Sequence, residues 1–177
     1  MGEPKWEGKV SVEVGGVGAE EAWSVIQDFC NLHKWIPIDT CYQVEGVLGQ
    51  PGLIRYCASN VEDATAIKWA KEKLLSIDPI QRCLSYEVLD NNVGFKSYVA
   101  TLKVLPINGG SCQIEWGFVS DPVEGWSFQD LNDYIHSSLL FMANRIQYAA
   151  ANIYNVEGEH RPIVKNINYG IQDNDAD

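Results

Sequence analysis

The chain is 177 residues long, the size of one domain, and carries a formal net charge of −11. Hydrophobic residues at 46% and charged ones at 21% describe a globular protein that can bury a core without disulfides or a metal. The acidic balance excludes partners that need clustered lysine and arginine, so neither nucleic acid nor an anionic membrane surface is expected. The start, MGEPKWEGKV, lacks the apolar stretch of a secretory leader, and Gly2 followed by Glu3 and Pro4 is a poor acylation signal. No run approaches the roughly 18 apolar residues of a membrane span. Five cysteines (Cys30, Cys41, Cys57, Cys83 and Cys112) show no Cys-x-x-Cys spacing, which predicts reduced thiols in a cytoplasmic protein. His33, His136 and His160 are too far apart to suggest a metal site.

Val10, Val12 and Val14 alternate with polar residues, the period of a half-buried first strand. Gly15, Gly16 and Gly18 end it, without the spacing of a nucleotide-binding loop. Residues 19–30 are helical in character, with Glu20 and Glu21 in the first turn and Trp23, Ile26 and Cys30 at helical spacing. A second short helical piece covers Leu32 to Trp35 and stops before Pro37. Strands are predicted near 41–46, 53–59, 67–78, 83–90, 97–105 and 111–120, separated by Gly, Pro, Asn and Asp turns. Gly46, Gly49 and Gly52 fall in one of these turns, with no helix start beside them to hold phosphate. A long helix follows from Phe128 to Asn152, with Leu131, Ile135, Met142, Ile146, Ala149 and Ile153 on one stripe. Ser138 and Ala149 are its small members, suited either to close packing or to leaving room for a ligand. The domain is predicted to span 1–154, and 155–177 to form a polar, acidic, disordered tail. Strands segregated from helices indicate an α+β architecture: a seven-stranded antiparallel sheet whose concave face is covered by the long C-terminal helix, with two short helices after the first strand.

Alternation sorts side chains between the two faces of that sheet. Cys112, Ile114, Trp116 and Phe118 share one face; Tyr98, Ala100, Leu102 and Val104 form the next apolar set; Leu84, Tyr86 and Val88 form a third. These faces should look toward the helix. Arg55 falls with Leu53 and Cys57, and Glu72 with Ala70 and Leu74. If those faces are inner, two charges enter an apolar interior and must pair with each other or with a ligand, making a candidate proton-handling site. The alternative leaves both at a strand edge in solvent.

The segments WEGKV at Trp6–Val10, EEAWSVIQDFCNLHKWIP, IRY at Ile54–Tyr56, WAKEKL at Trp69–Leu74, YVAT from Tyr98 and Glu115–Trp116 together resemble the plant lachrymatory-factor synthase family. That family lies within the START-like polyketide cyclase/dehydrase and lipid transport superfamily, and the resemblance spans about residues 6–152. It implies a helix-grip fold and a cofactor-free isomerisation of an unsaturated sulfenic acid to a thial S-oxide. It also implies catalytic roles for Arg55 and Glu72 and pocket roles for Tyr98 and Trp116. Tyr86 and Phe118, on the same inner faces, are expected to complete the ligand wall. A second pocket tyrosine of the family falls at Val88, which has no hydroxyl.

Related hormone receptors carry a Ser-Gly-Leu-Pro-Ala gate, a His-Arg-Leu latch and a lysine just before a cysteine. The corresponding positions here read VLGQPG, NNVGF and Asp39-Thr40 before Cys41, so hormone sensing of that kind is not expected. Two functions follow: a cofactor-free isomerase or cyclase, or a non-catalytic carrier of the same small apolar or amphipathic ligand.

Overall fold

In the first strand, β1 (Trp6–Val14), residues point alternately to core and solvent, and Val10 and Val14 lie on the buried side. The strand begins at Trp6 rather than at the first alternating valine, because its whole length pairs with the last strand, Trp6 opposite Ser120 through Val14 opposite Cys112. The computed structural model describes residues 3–60 and 67–157.

Helix α1 (Ala19–Ile26) buries Ala19, Ala22, Trp23 and Ile26, one stripe at spacings of three and four. It stops short of the predicted residue 30. Asp28 leaves the helical region at φ −77°, ψ 68°, and a 3₁₀ segment covers Phe29–Lys34 in place of the separate piece expected from Leu32.

Six strands follow: β2 (Thr40–Glu45), β3 (Ile54–Asn60), β4 (Ile67–Asp78), β5 (Cys83–Asn91), β6 (Val99–Ile107) and β7 (Ser111–Ser120). With β1 they form one seven-stranded sheet in the order β1-β7-β6-β5-β4-β3-β2, every neighbour antiparallel. β6 starts at Val99 instead of 97 because Ser97 sits at φ 52°, a left-handed conformation no strand continues through. Register shifts between Lys71 and Glu72 and between Leu74 and Ser76 bend the β4–β5 pair, the usual way a sheet acquires curvature.

Helix α2 (Phe128–Glu157) opens on a reciprocal cap. The Asp130 amide donates to Ser127 Oγ at 3.1 Å and the Ser127 amide donates to Asp130 Oδ2 at 2.8 Å. Its buried stripe is Leu131, Ile135, Ser138, Leu139, Met142, Ala143 and Ile146; Leu139 and Ala143 join the expected stripe, Ala149 is only half-buried, and Ile153 lies outside the residues whose burial is described. The helix continues beyond residue 154 to Glu157, where the tail was expected, and residues 158–177 lie outside the described residues. Among the described residues no helix is long and apolar enough to cross a membrane.

α2 packs on β1 and β7, at one side of the sheet. Gly8 permits the approach: a Cβ there would lie 2.7 Å from Phe118 Cζ and 3.0 Å from Asn132 Oδ1. The curved β3–β5 region faces the helix without that close packing, and the space between them is the ligand-sized cavity described below. Gly8→Ala should therefore lower stability by about 1–3 kcal/mol through overpacking, read as an earlier midpoint in urea denaturation.

Candidate functional site

Strand register brings the two internal charges together. Arg55 on β3 stands directly opposite Glu72 on β4, and Arg55 Nε donates to Glu72 Oε1 at 2.8 Å. The side chains are 5% and 13% exposed, so this is an interior ion pair, not a surface one. Arg55 Nη1 donates to the Phe29 carbonyl at 2.8 Å, tying the 3₁₀ segment to the sheet. The guanidinium lies 3.7 Å over the Phe29 ring and 5.0 Å over that of Tyr86, which shields it from water. Burial alone would weaken its charge, but the field of Glu72, followed by Cys57 and Tyr86, outweighs that and holds the Arg55 pKa above the ordinary arginine value.

Beside this pair opens a cavity of about 320 Å³, within the range of small-molecule sites. Glu72, Tyr86, Tyr98 and Trp116 bring polar groups to its lining, as do Ser59 and Lys68, while Val88 adds an apolar surface. Apolar walls come from Ile36 and Ile38 after the 3₁₀ segment, Phe95 between β5 and β6, and Trp126 and Ile135 of the α2 region. Ser138 of α2 also faces it, so the small residue in the helix stripe borders open space. The buried Trp116 indole N–H interacts weakly with the Tyr98 hydroxyl, working against the burial that raises the Tyr98 pKa, and makes no hydrogen bond of full geometry to a described group. An unpartnered buried donor of this kind calls for an acceptor, which a ligand entering the cavity would bring.

The chain matches the family described as Polyketide cyclase / dehydrase and lipid transport over residues 5–138. It belongs to that family. Solved structures share the architecture. A protein named XoxI from Bacillus cereus superposes with a TM-score of 0.67 at 21% identity, covering 86% of this chain and 99% of its own. A Thermobifida fusca protein gives 0.67 at 22% identity, covering 88% and 97%. An uncharacterized Bacillus thuringiensis protein gives 0.63 at 20% identity, covering 81% and 97%. Identities this low speak for the fold alone. The helix-grip sheet and helix are thus those of a polyketide cyclase/dehydrase and lipid transport domain.

In this family member the tyrosines stay protonated donors at neutral pH. Burial, then the Tyr98 and Glu72 charges, raise the Tyr86 pKa well above its usual value, and burial followed by Glu72 raises that of Tyr98. All five cysteines are free thiols. Two of them adjoin the ion pair: Cys57 Sγ lies 3.5 Å from Cys41 Sγ and 3.8 Å from Glu72 Oε1. The proton Cys57 donates pulls Cys41 down to a pKa of about 6 against its own burial, helped by the Arg55 charge, the Leu32 amide and the His33 ring. Cys57, as donor and buried, moves in the opposite direction.

Of the residues singled out in the sequence, Glu72, Tyr86, Val88, Tyr98 and Trp116 face the cavity together. Arg55 stands behind Glu72, bordering a separate void of about 20 Å³ next to Phe29 and Trp35. Phe118 stacks between Tyr98 and Phe128 and is not among the residues lining the larger cavity. Sequence reasoning missed Cys57, Trp126 and Tyr134 as lining residues. Cys57 was legible, since it shares the face of Arg55; Trp126 precedes the helix in a loop, where no periodicity places it.

Arg55→Met should cost about 3–5 kcal/mol by stranding the Glu72 carboxylate, and Arg55→Met/Glu72→Leu should recover most of it, as urea denaturation of both variants would show. The Cys41 thiol has a folded pKa of about 6 against an unfolded 9.0. Its contribution is thus fully present above pH 9.0 and lost as pH falls through about 6. The stability difference between wild type and Cys41→Ser should accordingly grow across that window in a pH series of denaturation curves.

Proposed function

We propose that this domain is a cofactor-free isomerase for a small, partly apolar metabolite, with Glu72 carrying a proton between two atoms of the ligand. The observation that supports this best is the Glu72 carboxylate set into an aromatic cavity by a buried arginine. Its two close polar contacts among the described residues, Arg55 Nε and the Cys57 sulfur, both fall on Oε1. Oε2 is then the oxygen that meets the ligand. Trp116 N–H, with the Tyr98 and Tyr86 hydroxyls, offers donors to a ligand oxygen that gains negative charge as its proton leaves. Arg55 is a positioning residue in this reading: its Nε is spent on Glu72 and Nη1 on the Phe29 carbonyl.

An unsaturated sulfenic acid suits these groups. Its O–H proton passes to Glu72, the alkene π pair takes a proton from the same carboxyl to form a C–H bond at the far carbon, and a sulfur lone pair becomes the C=S π bond of the thial S-oxide. The proton count is unchanged, so no cofactor enters. General acid–base catalysis by one carboxylate contributes about 10²–10⁴-fold.

The second reading is a carrier that binds the same class of ligand unchanged, as the family's lipid-transport branch suggests. Val88 favours it, because a cavity position where the resembled synthases present a hydroxyl is apolar here.

The test supplies enzymatically generated 1-propenylsulfenic acid and quantifies the thial S-oxide. Isomerase function requires product with wild type, a drop of about 10²–10⁴-fold in Glu72→Gln and a smaller one in Trp116→Phe. Wild-type protein that forms no product, yet binds a small sulfoxide stoichiometrically, would leave the carrier.

A further inference from the structure

The wall of the cavity holds a second reactive arrangement that proton transfer does not use. Cys41 on β2 and Cys57 on β3 stand directly opposite each other, their sulfurs 3.5 Å apart. Both are buried, 9% and 8% exposed, but Cys57 lines the 320 Å³ cavity, which gives small molecules a route to the pair. β2 is the edge strand of the sheet, with a register irregularity between Gln43 and Glu45, so it can follow a small inward movement without disturbing a neighbour beyond it.

We infer that Cys41 and Cys57 form an oxidation site, a dithiol that hydrogen peroxide converts to a cross-strand disulfide at the edge of the ligand cavity. The Cys41 thiolate attacks one peroxide oxygen, the O–O bond breaks, and hydroxide leaves, giving a sulfenic acid on Cys41. The Cys57 sulfur then attacks that sulfur. The S–O bond breaks, the S–S bond forms, and the Cys57 proton leaves with the oxygen as water. Two thiols are oxidised and one peroxide is reduced to two waters.

The surroundings prepare Cys41 for the first step. Cys57 donates to it, Arg55 supplies positive charge, and the Leu32 amide and His33 ring adjoin it. Cys83, the least buried cysteine, lacks this preparation: burial and Asp78 raise its thiol and only Lys103 opposes them. Closure brings the sulfurs to about 2.05 Å and turns the Cys57 sulfur, 3.8 Å from Glu72 Oε1, from a thiol into half of a disulfide. On the reading of Glu72 as the ligand-facing group, oxidation therefore alters the site itself.

The experiment exposes reduced full-length protein to hydrogen peroxide, alkylates the remaining thiols and maps peptides by mass spectrometry. A Cys41–Cys57 linked peptide, reversed by dithiothreitol and formed about tenfold faster than Cys83 is oxidised, is the expected result. Cys57→Ser should stop at a Cys41 sulfenic acid that dimedone traps, and Cys41→Ser should slow oxidation at Cys57 by a similar factor. Cys83 reacting first, or peroxide consumption without the linked peptide, would overturn the inference. No substrate enters the measurement, so its outcome is separate from that of the isomerase assay.

Discussion

The guanidinium of an arginine that is only 4% exposed has to be neutralised and hydrogen-bonded where it lies, and meeting that demand organises the site. Glu72 can answer Arg55 only in the register that puts β3 and β4 residues opposite each other, because a one-residue slip would send the carboxylate to the other face. The remaining donor reaches the Phe29 carbonyl, so the segment after α1 is held against the sheet by the same side chain. Phe29 and Tyr86 close over the cation and keep water from competing. Ion pair, strand register and placement of the 3₁₀ segment are thus one linked requirement.

The cavity follows from how the remaining layers fail to meet. α2 is drawn close to β1 and β7 where Gly8 offers no side chain, while register shifts curve the β4–β5 pair, which α2 does not pack against closely. Filling that gap with bulky aliphatic residues would restore an ordinary core. The sequence instead puts Ser138, tyrosine and tryptophan there, and these rings wall a space and bring polar tips into it. At one place on that wall stands the Glu72 carboxylate, held there by Arg55.

Period-two alternation made the sheet readable, since each inner face carried a run such as Cys112, Ile114, Trp116 and Phe118, all of them buried. The same alternation placed Arg55 with Leu53 and Cys57, and pairing of β3 with β4 supplied its partner. What alternation could not give is depth. Whether Arg55 meets the ligand or stands behind Glu72 depends on which donor Phe29 captures, a contact between residues 26 positions apart. Phe118 likewise sits on the expected face, but its ring is taken up by Tyr98 and Phe128. The end of α1 was obscured because Phe29 and Cys30 keep helical spacing in the sequence, while the backbone turns at Asp28 to hand Phe29 to the arginine.

The central claim is that a ligand oxygen docks against the unpartnered Trp116 N–H beside Glu72. Indole N–H resonances report this directly, since the chain has six tryptophans and Trp116→Phe identifies the signal. Titration with methyl phenyl sulfoxide, an unreactive S=O compound, should move the Trp116 resonance downfield with saturation. Trp23, whose N–H is also buried without a partner but lies away from the cavity, should hardly move. Saturable binding that leaves the Trp116 signal in place would contradict the account, because the ligand would then be held somewhere other than at the carboxylate.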